Sequence, residues 1–331
     1  MTRDVQWVVG IDGGGTKSVL SLIDSSGRVL ARTRCAATNY QPQNIEKIVA
    51  ELTHALQQLF QQAGFPATEK PDILCACLSG LGRDDARSHV RQALTDAQLA
   101  RQIITESDAL AALYGAFSGQ PGIIVIAGTG SIAFGKSPSG EVFRCGGWGY
   151  LLGDEGSGFA IGRNAITAAL QAWDGRGPTT ALKQKMETFF EVDSIEQAIT
   201  VIYQNYATRG ALAQCAPLVF EAAQQGDQVA LRIVTDAAGE LARLVVILWQ
   251  QFAESGAGHV ALLGNLFQND LLHAHVASML QQRTPTVTIV EPDFPADIGA
   301  ALLGMEKCQI NLSETVRTAL KENLRDHLIS I

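Results

Sequence analysis

The chain has 331 residues, a length that predicts about two domains. With 47% hydrophobic and 18% charged residues it can bury sizeable cores, and this composition excludes an intrinsically disordered chain. The formal net charge is −8 and there is no basic run, which argues against nucleic acid or an anionic membrane as a partner.

The cysteine and apolar patterns favour a reducing, aqueous compartment. None of the six cysteines forms a C-x-x-C pair, and no histidine pair has zinc-ligand spacing. Cys75 and Cys77 stand in the apolar run ILCACLSG, which is typical of buried core thiols. No stretch resembles a signal sequence, and the longest apolar helical segment is too short for a bilayer, so we expect a cytoplasmic protein.

The first predicted element is a β-hairpin with a glycine-rich tip, WVVGIDGGGTKSVLSLID, from Trp7 to Asp24. A Walker loop requires Lys directly after Gly, but Thr16 separates Gly15 from Lys17, and the dinucleotide fingerprint also fails. Those loops open into a helix, whereas the residues after Lys17 alternate as in a strand. Three glycines followed by Thr-Lys exceed what a plain turn requires. We therefore expect the tip amides to hold phosphate without a helix dipole behind them.

The chain then predicts a third strand, a helix near 44–63 and a buried strand near 72–79. A further strand, QIITES, precedes the helical pattern ALAALYGAF, and Asp108 stands at their junction. Ser107 or Asp108 suits the N-cap position of that helix. A helix N-terminus also favours an ionised carboxylate, so capping and a chemical role for Asp108 are compatible.

A second glycine-rich hairpin follows in VIAGTGSIAFGKSPSGEVFR, Val125 to Arg144. Its residues repeat the first hairpin at a constant interval, as in Gly13 and Gly128, and both copies continue to a Ser-Gly turn, which indicates a duplicated domain. Asp12 of the first copy is Ala127 in the second. A divalent cation needs a carboxylate, so we interpret Asp12 as the Mg²⁺-side residue, acting through waters. The alternative is that Asp12 merely ends a strand.

The stretch GGWGYLLGDEGSG, from Gly146 to Gly158, interrupts an apolar pattern and precedes a helix. A capped loop, with Asp154 or Ser157 near the helix start and Trp148 in the core, is one interpretation. From about 158 to 255 the pattern is mostly helical. HVALLGNLF predicts a buried strand that ends at Gly264.

The C-terminal region predicts two helices. PADIGAALLGM is the pattern of the first. In the tail, Val316, Leu320, Leu324 and Leu328 recur every four residues, a stripe that is usually packed core and that leaves a dimer contact open.

Taken together, these motifs resemble the N-acetylglucosamine kinase branch of the BadF/BadG/BcrA/BcrD-type ATPase family, within the actin-like ATPase and sugar-kinase superfamily. Matching segments run in the family's order over about the first 300 residues, among them GIDGGGTK, TNY, LSGLGR, TESDALAALYGA, VIAGTGSIAFG, CGGWGYLLGDEGSGFAIG and HVALLGNLF.

The resemblance implies an α/β fold of two actin-like (ribonuclease H-like) domains, with mixed sheets flanked by helices and with nucleotide and sugar in the interdomain cleft. The implied N-terminal domain covers 1–118, and the C-terminal domain, with a helical insertion, covers 119–305. An amphipathic helix at 306–331 follows. In this superfamily the helix of PADIGAALLGM returns to the first domain.

The resemblance also implies the site residues. Asp108 is the base that takes the proton from the sugar hydroxyl, and Asp12 is on the metal side. Sugar contacts are implied for Asn39, Ser79, Ser131, Gly147, Trp148, Gly149 and Asp154. ATP contacts are implied for Gly13, Gly14, Gly15, Thr16, Lys17, Thr129, Gly130, Ala213, Gly264 and Asn265. Three alternatives stay open. Asn39 is a plain loop residue in one, and Ala213 serves only helix packing in another. At Asn265 the family usually has a second Gly, so the preference for a nucleotide base is left open.

The implied activity is ATP- and Mg²⁺-dependent phosphorylation of an amino sugar, N-acetylglucosamine to its 6-phosphate, with a homodimer left open. The Trp in the loop favours an N-acetylhexosamine over glucosamine, yet glucosamine and N-acetylmuramic acid stay as alternatives. Two other classes also stay open. One is an iron–sulfur ATPase that activates a hydroxyacyl-CoA dehydratase, for which Cys145 is the only near candidate ligand. The other is a non-catalytic sugar sensor.

Overall fold

The computed structural model describes residues 5–205, 209–252 and 258–328, which contain two five-stranded sheets of the same topology. In each sheet, three consecutive strands pair antiparallel, and two later strands extend the sheet in parallel from the first of them. The strands of the first sheet are β1 (Trp7–Gly13), β2 (Lys17–Asp24), β3 (Val29–Ala36), β4 (Ile73–Leu78) and β5 (Gln102–Ser107). Those of the second are β6 (Gly122–Ala127), β7 (Ser131–Lys136), β8 (Val142–Gly146), β9 (His259–Leu263) and β10 (Thr288–Ile289). This shared strand order confirms the duplication predicted from the two hairpins.

Helices connect and flank the strands. In the first unit they are α1 (Ile45–Gln62), α2 (Asp84–Asp96), α3 (Asp108–Ala116), α11 (Ala296–Lys307) and α12 (Glu314–Leu328). In the second they are α4 (Gly158–Asp174), α5 (Leu182–Phe189), α6 (Ala198–Asn205), α7 (Arg209–Ala213), α8 (Ala216–Gln224), α9 (Gln228–Phe252) and α10 (Asp270–Arg283). Within the described ranges, no helix combines the length and apolarity needed to cross a membrane.

Two compact units divide the chain, one formed by 1–120 with 291–331 and the other by 121–290. Residues 291–305 fell within the predicted bounds of the second domain but belong to the first unit. They include most of α11, the helix that the resemblance implied would return to the first domain. The reason is close packing of α11 on β1 through small residues. A methyl group added at Gly10 would lie 2.1 Å from the Asp297 carbonyl oxygen and 2.4 Å from the Ala301 nitrogen.

The C-terminal stripe is packed core, as its spacing predicts. Val316, Leu320 and Leu324 are buried, and α12 lies against β3 of the first unit. Leu328 lies outside the described side chains. Because the three described members of the stripe are already covered within the chain, they are not free for a contact with a second copy.

Candidate active site

The predicted residues of the first unit meet at the carboxyl edge of its sheet. Gly13 of β1 is in register with Leu78 of β4, and Leu78 with Ser107 of β5. Since these strands are parallel, the residues that follow them emerge on the same edge, which is where open α/β sheets bind ligands. The register therefore brings the hairpin tip, Ser79 and Asp108 together.

The hairpin tip is a tight turn between antiparallel strands, which confirms the strand–turn–strand prediction. The Gly14 N–H donates to the Lys17 carbonyl at 3.1 Å, and Gly15, Thr16 and Lys17 are exposed. A methyl group added at Gly13 would lie 2.4 Å from Thr38 Oγ1. The tip thus presents glycine backbone, one hydroxyl and one ammonium group to solvent, a set suited to phosphate oxygens.

Two backbone hydrogen bonds of Ser79 place the loop that contains Asn39 beside this tip. The Ser79 N–H donates to the Gly13 carbonyl at 2.7 Å, and the Tyr40 N–H donates to the Ser79 carbonyl at 2.7 Å. Asn39 is half-buried, and its own carbonyl accepts from Asn44 Nδ2 at 2.9 Å. The fold thus brings the loop after β3 and the end of β4 to the phosphate hairpin.

Asp108 is the first residue of α3, and Ser107 is its N-cap. The Ser107 hydroxyl accepts from the Leu110 N–H at 3.3 Å, while Asp108 Oδ1 accepts from the Ala109 N–H at 2.9 Å. The positive end of the helix dipole and this hydrogen bond both favour the ionised carboxylate. Ser107 supplies the cap, and Asp108 is a half-exposed residue directly after it.

Asp12 lies in an acidic environment that the sequence did not reveal. Burial, Asp297 and Asp108 raise the pKa of Asp12 to about 7, and Lys17 opposes the rise. Asp297, at the start of α11, is 2% exposed. Only the packing of α11 against β1 brings Asp297 near the hairpin, so no local pattern could have identified it.

The Asp297 carboxylate is held by a basic and a hydroxyl group of the neighbouring strands. Arg32 Nε donates to Oδ2 and Arg32 Nη2 donates to Oδ1, both at 2.9 Å, and Ser21 Oγ also donates to Oδ2. The guanidinium thus forms a bidentate pair with the buried Asp297 carboxylate. The Asp297 carboxylate, whose charge raises the pKa of Asp12, is thus fixed in place by residues of the first unit.

In the second unit, the start of a helix lies behind the hairpin tip. The turn at Gly128 to Gly130 is closed by the Gly128 N–H, which donates to the Gly130 carbonyl at 2.9 Å. The Gly158 and Phe159 N–H groups, at the start of α4, donate to the carbonyls of Gly128 at 2.8 Å and Thr129 at 3.3 Å. The positive end of a helix dipole therefore lies behind this tip.

Three predicted nucleotide-side residues surround the second tip. A methyl group at Gly264 would lie 2.2 Å from the Ala127 carbonyl, and one at Gly128 would lie 3.2 Å from Asn265 Oδ1. A methyl group at Gly158 would lie 3.3 Å from the Ala213 Cβ. Ala213, Gly264 and Asn265 thus lie in contact distance of the hairpin or of the helix start that supports it.

The glycine-rich loop after β8 closes on Asp154. Asp154 Oδ1 accepts from the Gly149 N–H at 3.1 Å, and a methyl group at Gly130 would lie 2.7 Å from Oδ2. Asp154 is 4% exposed and has φ of +58°, a left-handed conformation that non-glycine residues seldom adopt. The Ser131 hydroxyl donates to the Glu155 carbonyl at 2.6 Å and is also buried. Both polar side chains thus tie the loop to the hairpin, and their roles toward sugar stay predictions.

Trp148 is 66% exposed, so the interpretation of this residue as core is wrong. Its ring lies under the Arg144 guanidinium, whose central carbon is 4.6 Å from the ring centroid. Sequence reasoning missed Arg144, although it stands directly before CGGWG. Ser157 is the N-cap of α4, accepting from the Ala160 N–H at 3.2 Å, as the capped-loop interpretation proposed.

The same loop also borders an open cavity of about 830 Å³ between α4, α9 and α10. Its lining includes the exposed Leu151 and Leu152 but neither Trp148 nor Asp154. This cavity is therefore separate from the predicted sugar residues of the loop.

The donor chemistry fits a nucleotide-borne magnesium ion. Asp12 supplies a carboxylate beside Lys17, and the described residues contain no cluster of three or more His, Cys, Asp or Glu that could hold a metal by itself. Mg²⁺ keeps several waters and typically takes one or two carboxylates plus substrate phosphates. The buried Cys75 and Cys77, with sulfurs 3.7 Å apart, are core thiols as predicted.

Comparison with known proteins identifies the family of this chain. The sequence model of the BadF/BadG/BcrA/BcrD ATPase family matches residues 9–304. An N-acetylmuramic acid/N-acetylglucosamine kinase of Clostridium acetobutylicum is 30% identical over 92% of this chain and 100% of its own. An N-acetyl-D-glucosamine kinase of Dictyostelium discoideum is 30% identical over 90% of this chain and 97% of its own. The structure of a provisionally named N-acetylglucosamine kinase from Chromobacterium violaceum superposes with a TM-score of 0.74 at 30% identity, covering 91% of this chain and 99% of its own. The chain therefore belongs to the BadF/BadG/BcrA/BcrD ATPase family and has the actin-like ATPase and sugar-kinase fold.

Proposed function

We propose that the protein is an ATP-dependent kinase of amino sugars, with N-acetylglucosamine as acceptor and O6 as the phosphorylated hydroxyl. Support comes from relatives whose names specify kinases of N-acetylglucosamine and N-acetylmuramic acid. The observation that carries the proposal is the placement of Asp108 at a helix start on the sheet edge that also carries Asp12 and the phosphate hairpin. Phosphoryl transfer to an alcohol requires a base for the hydroxyl and a group that holds the metal ion, and Asp108 and Asp12 would supply these two roles at one edge.

Asp108 is assigned the acceptor chemistry. As an ionised carboxylate it accepts the hydrogen bond of the sugar hydroxyl, orients the oxygen toward the γ-phosphorus and receives its proton. Phosphoryl transfer is mostly positioning and charge stabilisation, so this orienting role needs no strong base. The helix start favours the ionised form of this carboxylate.

Asn39 and Ser79 are assigned to sugar contacts in the first unit. Ser79 hydrogen-bonds to Gly13 at this edge and also accepts from Tyr40, the residue after Asn39. In the second unit, the loop with Gly147, Trp148 and Gly149 is assigned to the same substrate. Asp154 organises this loop through the Gly149 N–H. A direct contact from Asp154 to sugar would require this buried carboxylate to become accessible.

ATP phosphates are assigned to the two hairpin tips, Gly13 to Lys17 and Gly128 to Ser131, and adenosine to the neighbourhood of Ala213, Gly264 and Asn265. Asp12 would hold magnesium through water, and the ion would supply charge neutralisation at the phosphates. Lys17 and the exposed Thr16 hydroxyl would contact phosphate oxygens. Glucosamine and N-acetylmuramic acid are the alternative acceptors, and a homodimer and a cytoplasmic location stay predictions.

A coupled assay of ADP release across a panel of amino sugars tests the proposal. We expect release that depends on magnesium and is stimulated most by N-acetylglucosamine, with a 6-phosphate as the product by NMR. A no-sugar control measures plain ATP hydrolysis. Equal release with and without sugar would overturn the kinase proposal, and stoichiometric iron in anaerobically purified protein would favour the dehydratase-activating alternative.

A further inference from the structure

The Arg144 side chain contacts three consecutive residues of the loop assigned to sugar. Arg144 lies in β8, the edge strand of the second sheet. Its side chain runs along the end of this strand and the residues directly after it. Nε donates to the Gly146 carbonyl at 3.1 Å, and Nη2 donates to the Gly147 carbonyl. The guanidinium then covers the Trp148 ring. One side chain therefore holds both the turn and the aromatic residue after it.

The turn needs such external support. Gly146 and Gly147 have φ of +73° and +72°, two successive left-handed residues that regular pairing cannot continue. A methyl group at Gly147 would lie 2.3 Å from Ile132 Cδ1, so no larger residue can stiffen this position. Hydrogen bonds from a charged donor to two adjacent carbonyls fix the turn instead.

Trp148 is held from its other side as well. The next residue, Gly149, donates its N–H to Asp154, and its carbonyl accepts from the Gly153 N–H at 2.8 Å. Trp148 thus lies between two anchored segments although most of its surface is exposed. An indole fixed in this way can stack with a ligand without losing much conformational freedom, which favours binding.

We propose that Arg144 is a positioning residue that holds the Trp148 indole as a stacking platform for the acceptor sugar ring. The inference rests on the kinase function proposed above and adds to it a determinant of sugar affinity. The C–H face of a pyranose is apolar and its rim is polar, which matches an amphipathic indole. Arg144 acts through Trp148 and is not among the residues assigned to the phosphates. Its loss should therefore weaken sugar binding and spare the chemical step.

Steady-state kinetics of Arg144→Gln, Arg144→Lys, Trp148→Ala and the double variant Arg144→Gln/Trp148→Ala test the platform. We expect Arg144→Gln to raise the KM for sugar about tenfold, with kcat and the KM for ATP within about twofold of wild type. Arg144→Lys should be intermediate, because an ammonium group keeps the cation–π contact but cannot bridge both carbonyls. The double variant should equal Trp148→Ala alone, since coupled residues are non-additive.

Arg163→Gln is the matched control, because Arg163 also lies over an aromatic ring, at 5.9 Å from the Phe159 centroid, but outside this loop. It should leave the sugar KM unchanged. Acrylamide quenching of tryptophan fluorescence, compared with a Trp148→Phe background, gives a readout independent of activity. Arg144→Gln should raise the quenching that is due to Trp148.

The outcomes separate the two proposals. An active wild type together with an Arg144→Gln variant of unchanged sugar KM overturns the platform and leaves the kinase function intact. Additive effects in the double variant also overturn it, because Arg144 would then act independently of Trp148. A wild type that releases no ADP with any amino sugar overturns the kinase function itself.

Discussion

Asp12 and Asp108 lie close enough that the negative charge of Asp108 raises the pKa of Asp12. The two carboxylates come from different elements, the end of β1 and the start of α3, and the sheet register places them at one edge. Like charges this close repel, so the arrangement costs stability unless a cation or a proton neutralises one of them. A cost of this kind is expected at a site that binds a positive ion with its substrate.

Replacing Asp108 with Asn should remove the proton acceptor and keep the shape of the site. We expect kcat to fall by at least about 100-fold, because general-base catalysis contributes that much or more. Sugar affinity should change little, since an amide still accepts a hydrogen bond from a hydroxyl. The measurements are ADP release at saturating substrates and sugar binding by tryptophan fluorescence without ATP.

Asp84→Asn is the matched control for Asp108→Asn. Asp84 is also the first residue of a helix, α2, but its side chain is largely exposed and is paired with Arg87. That variant should have wild-type kinetics. Near-normal activity of Asp108→Asn would show that another group takes the proton.

Asp12→Asn should increase the magnesium requirement. An amide lacks the charge that attracts the hydrated ion, and loss of an outer-shell partner typically costs about 10–100-fold in metal affinity or activity. We expect the magnesium concentration for half-maximal ADP release to rise by a factor in that range, with the sugar KM unchanged. Asp85→Asn, an exposed carboxylate of α2, serves as the control. An unchanged magnesium requirement would contradict the assignment of Asp12 to magnesium binding.

Much of the fold could be predicted because its signals are local. Alternating apolar and polar residues on both sides of the tip that ends at Lys17 predicted a hairpin. The repeat of the same pattern around Gly128 predicted a second hairpin with the same topology. Ser107 and Ser157 were foreseeable as caps because capping depends on residues within one turn. The division between units was less predictable, because α11 follows all residues of the second unit in the sequence and yet packs on β1 of the first.

The parts of the site that sequence could not predict depend on tertiary contacts. Asp297 approaches Asp12 only through the packing of α11 at Gly10. The exposure of Trp148 and the burial of Asp154 follow from the left-handed turn in the glycine-rich loop, which composition permits but does not specify. Arg144 had no motif to identify it, because its role comes from two backbone carbonyls rather than from a pattern of side chains.

The raised pKa of Asp12 predicts a pH-dependent cost to stability in metal-free protein. The folded pKa is about 7, whereas an unfolded Asp titrates near 3.9. Below about pH 4 both states are protonated and no cost exists. As pH rises to about 7 the cost grows, and above that pH it is fully present because the folded state must hold the charge.

Asp12→Asn lacks this titration. We therefore expect the variant to be more stable than wild type at pH 8 by about 1–3 kcal/mol, after allowance for partial solvation, and the difference to shrink toward pH 5. Thermal unfolding in EDTA at pH 5, 6, 7 and 8 measures the trend. Magnesium with ATP should reduce the gap at pH 8 by stabilising wild type. A gap that is constant with pH would contradict a raised pKa.

Gly10→Ala should destabilise the first unit without touching the substrate residues. The added methyl would overlap the backbone of α11 at Asp297 and Ala301, so β1 and α11 must move apart. Overpacking of this kind typically costs about 1–3 kcal/mol, and the displacement of α11 should also disturb the Asp297–Arg32 pair.

Gly239→Ala in α9 is the matched control, because an added methyl group has room there. Its methyl would meet only Met279 Sδ, at 3.9 Å, and alanine in a helix is favoured over glycine by about 0.5–1 kcal/mol. We expect a lower melting temperature for Gly10→Ala and an equal or higher one for Gly239→Ala, and a Gly10→Ala protein as stable as wild type would contradict the close contact between β1 and α11.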